Sequence, residues 1–272
     1  MHKFIAAAVQ MDTQNDKAQN LIQMAEYIDE AVSKGAQLIA FPEVVNILSE
    51  LPEHAETIPG PATELLSSKA KEHSVWIHGG SISEINPHGD RTYNTSVLVA
   101  PDGEIRAKYR KLHNFDMILP DGSSVRESDN KEPGSEIVTV QTELGTLGFA
   151  ICYDLRFPEQ FRLMRLAGAE IIFLPANFTM PTGKDHWEPL IRARAIENGV
   201  YIIAPNQTGE KEKFTAYGNS MIVDPWGAVI ARASDKPGVI LAEIDLEYLH
   251  AVRAKNPSVE NRRTDLYRID GK

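Results

Sequence analysis

Residues 146–161 read TLGFAICYDLRFPEQF. A glycine-bearing apolar run ends at Cys152, turns polar over Tyr153–Arg156, and resumes at Pro158 with helical spacing to Leu166. Strand, turn and helix follow one another so closely that the stretch reads as one unit of an α/β sheet. Cys152 is the only cysteine in 272 residues. It has no partner for an intrachain disulfide, which fits a reducing cytosol. A cysteine needed only for packing would sit inside the run. At its end, the thiol is delivered to a sheet edge where chemistry can reach it. Alternation places Gly148, Ala150 and Cys152 on one strand face and Phe149, Ile151 and Tyr153 on the other, so the thiol is expected on a face with little bulk. The bland alternative is a small buried hydrophobe.

Outward from this stretch, strand-length apolar runs alternate with helix-period segments. FIAAAVQM reads as a first buried strand, and Ala18, Leu21, Ile22, Ala25, Ile28 and Val32 mark an amphipathic helix closing near Gly35. QLIAFPE and VWIHGGSIS read as strands around a helix over ATELLSSKAKEHS, and TSVLVAPDGEIRAKYRK as strand, Asp-Gly turn, strand. Residues 114–134 are polar and read as a long loop, a length often associated with function. Further strands are expected in IVTVQTELGTLGFAIC, EIIFLPAN, VYIIAPNQT, NSMIVDPWGAVIARA and VILAEIDL, with helices over 185–197 and 247–253. No linker interrupts the pattern, so the expectation is one α/β domain over 1–272 with mixed sheets. Two echoes, SKGAQLIAFPEVV with LAGAEIIFLPANF and VLVAPDGEIRAKY with MIVDPWGAVIARA, point to sheets packed as related layers. Because ligands gather beyond the carboxyl ends of such strands, the first echo places Glu43 and the segment Asn177–Thr179 at a common site.

The composition narrows the function. With 28 Lys and Arg against 38 Asp and Glu, the net charge of -10 opposes nucleic-acid binding, and RAKYRK (106–111) is too short for a phosphate-tracking surface. No run approaches the roughly 20 apolar residues of a membrane span, and the N-terminal run is shorter than a signal-peptide core. The scattered histidines show no metal-ligand spacing, and there is no phosphate-cradling loop, so neither a metal nor another cofactor is expected.

Two more residues stand out. In EIRAKYRKLH, Lys111 shares the apolar face of Ile105, Ala107 and Tyr109, and an inward ammonium needs an anionic partner. The alternative is a frayed strand end with a solvated lysine. Glu43 follows a buried strand, either capping the next segment or lining a crevice. A thiol, a carboxylate and a lysine brought together form a hydrolytic set.

FPE after a buried strand, YRKLHNFD and GFAICYDLRFPE together resemble, in order and spacing, the signatures of the nitrilase superfamily of carbon–nitrogen hydrolases, over about residues 3–267. The resemblance implies a four-layer α-β-β-α sandwich. It implies Glu43 as general base, Lys111 as oxyanion-stabilising cation, Cys152 as nucleophile, Glu127 in VRESDNKEPG as a second glutamate, and the Tyr153 amide at the oxyanion. CYDLRFPE, FTMPTGKDHWEPLIRARAIENGVY and YGNSMIVDPWG look most like the branch that hydrolyses 2-oxoglutaryl amides, deaminated glutathione and 2-oxoglutaramate. Carbamoyl-amine or aliphatic amide hydrolysis, and a non-catalytic interaction protein, are the alternatives. An oxo-acid substrate needs a cation for its carboxylate, and Arg156 is the candidate, with an ion pair to Asp154 or Glu159 as its structural alternative. Asn177, Phe178 and Thr179 are expected in the same pocket. His113 reads as structural. A homodimer in the cytoplasm is expected.

Overall fold

The computed structural model describes residues 3–49, 51–118, 122 and 124–270. The chain starts with strand β1 (Lys3–Gln10), helix α1 (Lys17–Ser33), strand β2 (Leu38–Ala40), helix α2 (Pro61–His73) and strand β3 (Trp76–His78), the three strands lying parallel and adjacent. Alternate residues of these strands enter different cores. Ala6, Ala8, Leu38 and Ala40 pack towards a second sheet, whereas Ala7, Val9, Ile39 and Phe41 pack with Met24, Ile28, Leu66 and Ala70 of the helices. Strands buried on both faces are continuously apolar, which explains why FIAAAV and LIAF show no polar alternation.

β4 (Ile82–Glu84), β5 (Tyr93–Val99) and β6 (Ile105–Arg110) extend the sheet in antiparallel fashion. A small hairpin, β7 (Asp116–Ile118) with β8 (Ser124–Arg126), precedes the second sheet. That sheet contains β9 (Thr139–Thr142) and β10 (Gly145–Phe149), then after helix α3 (Pro158–Leu166) strand β11 (Ile171–Phe173). The helical turn α4 (Met180–Thr182) leads into helix α5 (Glu188–Asn198) and strand β12 (Tyr201–Ala204). A second small hairpin, β13 (Thr208–Glu210) with β14 (Thr215–Tyr217), is followed by β15 (Met221–Val223) and β16 (Val229–Arg232) at the sheet edge. β17 (Gly238–Asp245) returns to pair with β1, and α6 (Leu246–Lys255) follows. Phe161, Met164, Trp187 and Ile191 cover the outer face of the second sheet, while Phe149 and Phe173 meet His78 of the first. The layers are therefore helix, sheet, sheet, helix: the four-layer α-β-β-α sandwich. Fully burying a side chain such as Phe149 or Ile203 contributes about 1.5–3 kcal/mol.

The echoes correspond to a repeated architecture. The first sheet runs β17-β1-β2-β3-β5-β4 with β6 also paired to β5, and the second runs β9-β10-β11-β12-β15-β16. Each half is three parallel strands with intervening helices, bounded by antiparallel strands. Among the described residues no helix is long and apolar enough to cross a membrane.

Three expectations need correction. VWIHGGSIS is two strands, because Gly80 turns with φ +63° where a Cβ would lie 2.0 Å from the Pro42 carbonyl oxygen. The polar region 114–134 is not plain loop: it carries the β7–β8 hairpin and a 3-10 turn, Glu127–Asp129. The helix expected over 185–197 starts earlier, at Met180, and passes through a π turn over Gly183–Trp187.

Candidate active site

Beyond β2 the chain turns through Phe41, Pro42 and Glu43 into Val44, which has φ 51°. A β-branched residue in the left-handed region is strained and persists only where its surroundings fix it. Here the Val44 N–H donates to Ser81 Oγ at 3.1 Å, and Gln207 Nε2 donates to the Glu43 carbonyl at 2.9 Å. The Glu43 carboxylate, 5% exposed, accepts from Asn94 Nδ2 at 2.9 Å, the Asn177 N–H at 2.9 Å and Lys111 Nζ at 3.1 Å. The strand echo anticipated this meeting of Glu43 with the Asn177 segment.

Lys111 follows β6 and is 2% exposed. Its N–H donates to the Asn94 carbonyl at 2.8 Å, so the strand pairing continues one residue further and the side chain stays inward. Nζ donates to Glu127 Oε2 at 2.8 Å as well as to Glu43. Glu127 opens its 3-10 turn and accepts from the Phe115 N–H at 2.6 Å and Asn94 Nδ2 at 3.3 Å. Burial alone would discharge Lys111, but the Glu127 and Glu43 carboxylates outweigh it and hold the ammonium well above its ordinary range. Burial likewise raises Glu127, and the Lys111 charge and hydrogen bond overcome it, leaving the carboxyl below its usual value.

Cys152 lies beyond the end of β10, in a 3-10 turn over Cys152–Arg156, with φ 48° and its N–H donating to the Pro175 carbonyl at 2.9 Å. The expectation from strand alternation is therefore overturned. The backbone stays extended through Ile151 (φ -130°, ψ 120°) and breaks at Cys152, and the Gly148 face is filled by Met164, Ile172 and Ala169. The left-handed turn, not the strand pleat, presents the thiol. Burial pushes that thiol well above its ordinary value, the Glu43 charge adds to the effect, and Lys111 and the Asn177 N–H offset part of it.

The turn is held by Asp154, fully buried, which accepts from the Tyr109 hydroxyl at 2.6 Å, the Ile151 N–H at 2.8 Å, and His113 through its N–H at 3.1 Å and its ring Nδ1 at 2.7 Å. His113 also stacks on Phe157, a structural role as expected. With Asp154 so engaged, Arg156 forms no ion pair with it or with Glu159 among the described residues. The guanidinium lies near the Tyr153 and Phe178 rings and contacts His186 Nδ1 at 3.3 Å. Among the described residues its Nε is buried without a hydrogen-bond partner.

A cavity of about 470 Å³ is lined by all nine residues singled out above: Glu43, Lys111, Glu127, Cys152, Tyr153, Arg156, Asn177, Phe178 and Thr179. That size falls among pockets of roughly 300–1,000 Å³ that enclose small organic ligands. Sequence reasoning missed Asn94, Phe115, Lys131 and the pair Lys213–Phe214, which also line it. Of these only Asn94, a buried polar residue within the strand YNTSVLV, left a signal. Among the described residues, the one group close enough to share a metal ion is Asp29, Glu72 and His73; Lys69 already pairs with both carboxylates, and none of the three lines the cavity.

A fold of this kind, with these side chains in one cavity, defines a class, and comparison with known proteins agrees. The carbon–nitrogen hydrolase family matches residues 5–254. The chain is 41% identical over 269 residues to the deaminated glutathione amidase of Synechocystis sp., covering 96% of this chain and 99% of that one. It is 41% identical over 276 residues to omega-amidase NIT2 of Xenopus tropicalis, covering 100% and 99%. The C. elegans NitFhit protein superposes with a TM-score of 0.92 at 36% identity, over 99% of this chain and 67% of that one. This chain belongs to the carbon–nitrogen hydrolase family.

Proposed function

We propose that the protein is an amidase that cleaves the C–N bond of a 2-oxoglutaryl amide, deaminated glutathione or 2-oxoglutaramate, through a thioester on Cys152. The observation that carries this reading is Lys111, held between Glu43 and Glu127 in the same cavity as the lone thiol and as Arg156 with its unpartnered Nε. The names of the two relatives supply the substrate class. Cys152 Sγ attacks the amide carbon, and its proton passes to Glu43. The oxyanion is stabilised by the Lys111 ammonium and the Tyr153 N–H. Glu43 returns the proton to the nitrogen, the amine leaves, and a water deprotonated by Glu43 attacks the thioester carbon. Collapse expels the thiolate, which takes the proton back from Glu43. Glu127 keeps Lys111 charged and aimed. Arg156 binds the carboxylate at the far end of the acyl group, against Phe178 and Thr179, while Asn177 fixes Glu43. The whole chain acts as one catalytic domain. A homodimer and a cytoplasmic location complete the reading, supported by the family resemblance and by a lone cysteine that forms no intrachain disulfide.

The test is release of 2-oxoglutarate from each of the two amides, with Cys152→Ala as control. Release abolished in a folded variant supports the scheme, and the ratio of the two rates names the leaving amine. Wild-type protein inactive on both but active on carbamoyl or simple aliphatic amides would transfer the scheme to those substrates. Inactivity on all of them would favour a non-catalytic interaction protein, and a Cys152→Ala variant that kept near-wild-type activity would end the thioester mechanism.

A further inference from the structure

We infer that Asn94 is a positioning residue of this site, holding the Glu43 and Glu127 carboxylates on either side of Lys111 by donating an amide hydrogen to each. The inference rests on the catalytic reading above. Asn94 lies on β5, 4% exposed, and its carbonyl accepts the Lys111 N–H at 2.8 Å, so the two residues are cross-strand partners. From there Nδ2 reaches Glu43 Oε1 at 2.9 Å and Glu127 Oε1 at 3.3 Å. Lys111 Nζ reaches the same two carboxylates, at 3.1 and 2.8 Å. The four groups close a ring in which two donors alternate with two acceptors.

The orientation of the amide is dictated by its neighbours. Turned over, it would set Oδ1 against two carboxylate oxygens with no hydrogen between them. In the observed orientation Oδ1 is buried and has no hydrogen-bond partner among the described residues. An amide retained with its acceptor unsatisfied in the interior is retained for its donor. One ammonium shared by two carboxylates does not by itself keep them apart. The second bridge does so without adding charge, leaving Glu43 within reach of the thiol while Glu127 holds Lys111.

Two near-isosteric variants separate this role from space-filling. Asn94→Leu removes both donor hydrogens; Asn94→Asp keeps the shape but places a third acceptor in the ring. Because Cys152 is the only cysteine, its alkylation by iodoacetamide can be followed by intact mass, without substrate. Both variants are expected to lose activity, with kcat down by about 30-fold or more and KM within about 3-fold, Asp being the worse. The pH profile of alkylation is expected to move by about one unit, since Asn94 places the Glu43 carboxylate whose charge acts on the Cys152 thiol. An Asp variant close to wild type with a damaged Leu variant would show that shape alone matters and overturn the inference. So would an alkylation profile that superimposes on the wild type in both. If wild-type protein releases nothing from the oxo-amides yet the alkylation profile shifts in the variants, the substrate assignment fails and the role of Asn94 stands.

Discussion

The Tyr109 hydroxyl donates to Asp154 Oδ2 at 2.6 Å. This one bond ties the strand that leads into Lys111 to the turn that begins with Cys152. Tyr109 belongs to the first sheet and Asp154 follows a strand of the second, so the contact spans the interface between the sheets. Both residues are fully buried. The Tyr109 oxygen also accepts from Gln160 Nε2 at 2.8 Å and the Leu112 N–H at 3.3 Å, joining α3 and the segment after Lys111 to the same node.

Tyr109→Phe tests that node. It leaves the ring in place but deprives a buried carboxylate of a short donor, and hydrogen bonds to charged groups are worth about 1.5–3 kcal/mol. Urea denaturation is expected to show a loss of about 2 kcal/mol, with a lower kcat because Lys111 and Cys152 are no longer held in register. Unchanged stability would mean that packing alone aligns the two sheets here.

Glu127→Gln addresses the charge on Lys111. The variant keeps the shape of the side chain and leaves Glu43 as the remaining carboxylate partner in the ring. Removing one preorganised group around a developing oxyanion costs about 10²–10³-fold in kcat, and the substrate contacts through Arg156 are untouched, so KM should change little. Steady-state kinetics on whichever amide is turned over decide it. A variant with more than about a third of the wild-type kcat would not fit this magnitude and would remove Glu127 from the reaction.

Acid lability should trace in part to His78, which lies fully buried against Phe173 and Phe149. Burial lowers its pKa from 6.5 to about 3. The folded state therefore holds His78 neutral where the unfolded chain would protonate it. Its contribution is fully present above pH 6.5 and is lost as pH falls towards 3, by about 1.4 kcal/mol per unit for one proton. Replacement by Leu removes this pH dependence, so the stability gap between wild type and His78→Leu should close, or move in the variant's favour, between pH 7 and pH 5. Denaturation midpoints measured at pH 7, 6 and 5 give the answer. Curves that run parallel would exclude His78 as a source of acid sensitivity.

What could be read before the fold was known follows from where the information lies. Pro158–Leu166 and the parallel strands are set by local apolar pattern, and Lys111 by continuing the inner face of β6 one residue past its end. At Cys152 the local pattern marks the end of the apolar run but not its geometry: alternation presumes a continuing strand, whereas the residue adopts a left-handed turn. Glu127 sits in a polar segment with no periodicity, so family resemblance alone pointed to it. Asn94 meets Glu43 across 51 residues of sequence, and no local pattern encodes such a distance. The β13–β14 hairpin went unseen for a related reason. QTGEKEKFTAY has little apolar content, and it is held by long-range bonds such as Lys211 Nζ to Asp12 Oδ1 at 2.6 Å and the Thr208 N–H to the Met11 carbonyl at 2.8 Å.

Arg156 carries the assignment of substrate charge. Among the described residues its guanidinium is supported by aromatic faces and by His186 instead of a carboxylate, so its charge is not spent on a neighbouring anion there, and Nε is buried with no partner. A planar fork in that state suits a substrate carboxylate, which would gain charge-assisted bonds worth about 1.5–3 kcal/mol, or roughly 10–100-fold in affinity. Arg156→Met keeps the length and the contact with Tyr153 and Phe178 while removing every donor. For amides ending in a carboxylate, KM is expected to rise by about 10-fold or more, with kcat less affected because the reacting atoms sit beside Cys152 and Lys111. For a neutral amide of similar length, KM should change by less than about 2-fold, since no charged contact is lost. Measuring both substrates on one preparation of the variant cancels any general damage to the cavity. An equal rise for acidic and neutral amides would show that Arg156 shapes the wall without reading charge, and would place the carboxylate elsewhere in the pocket.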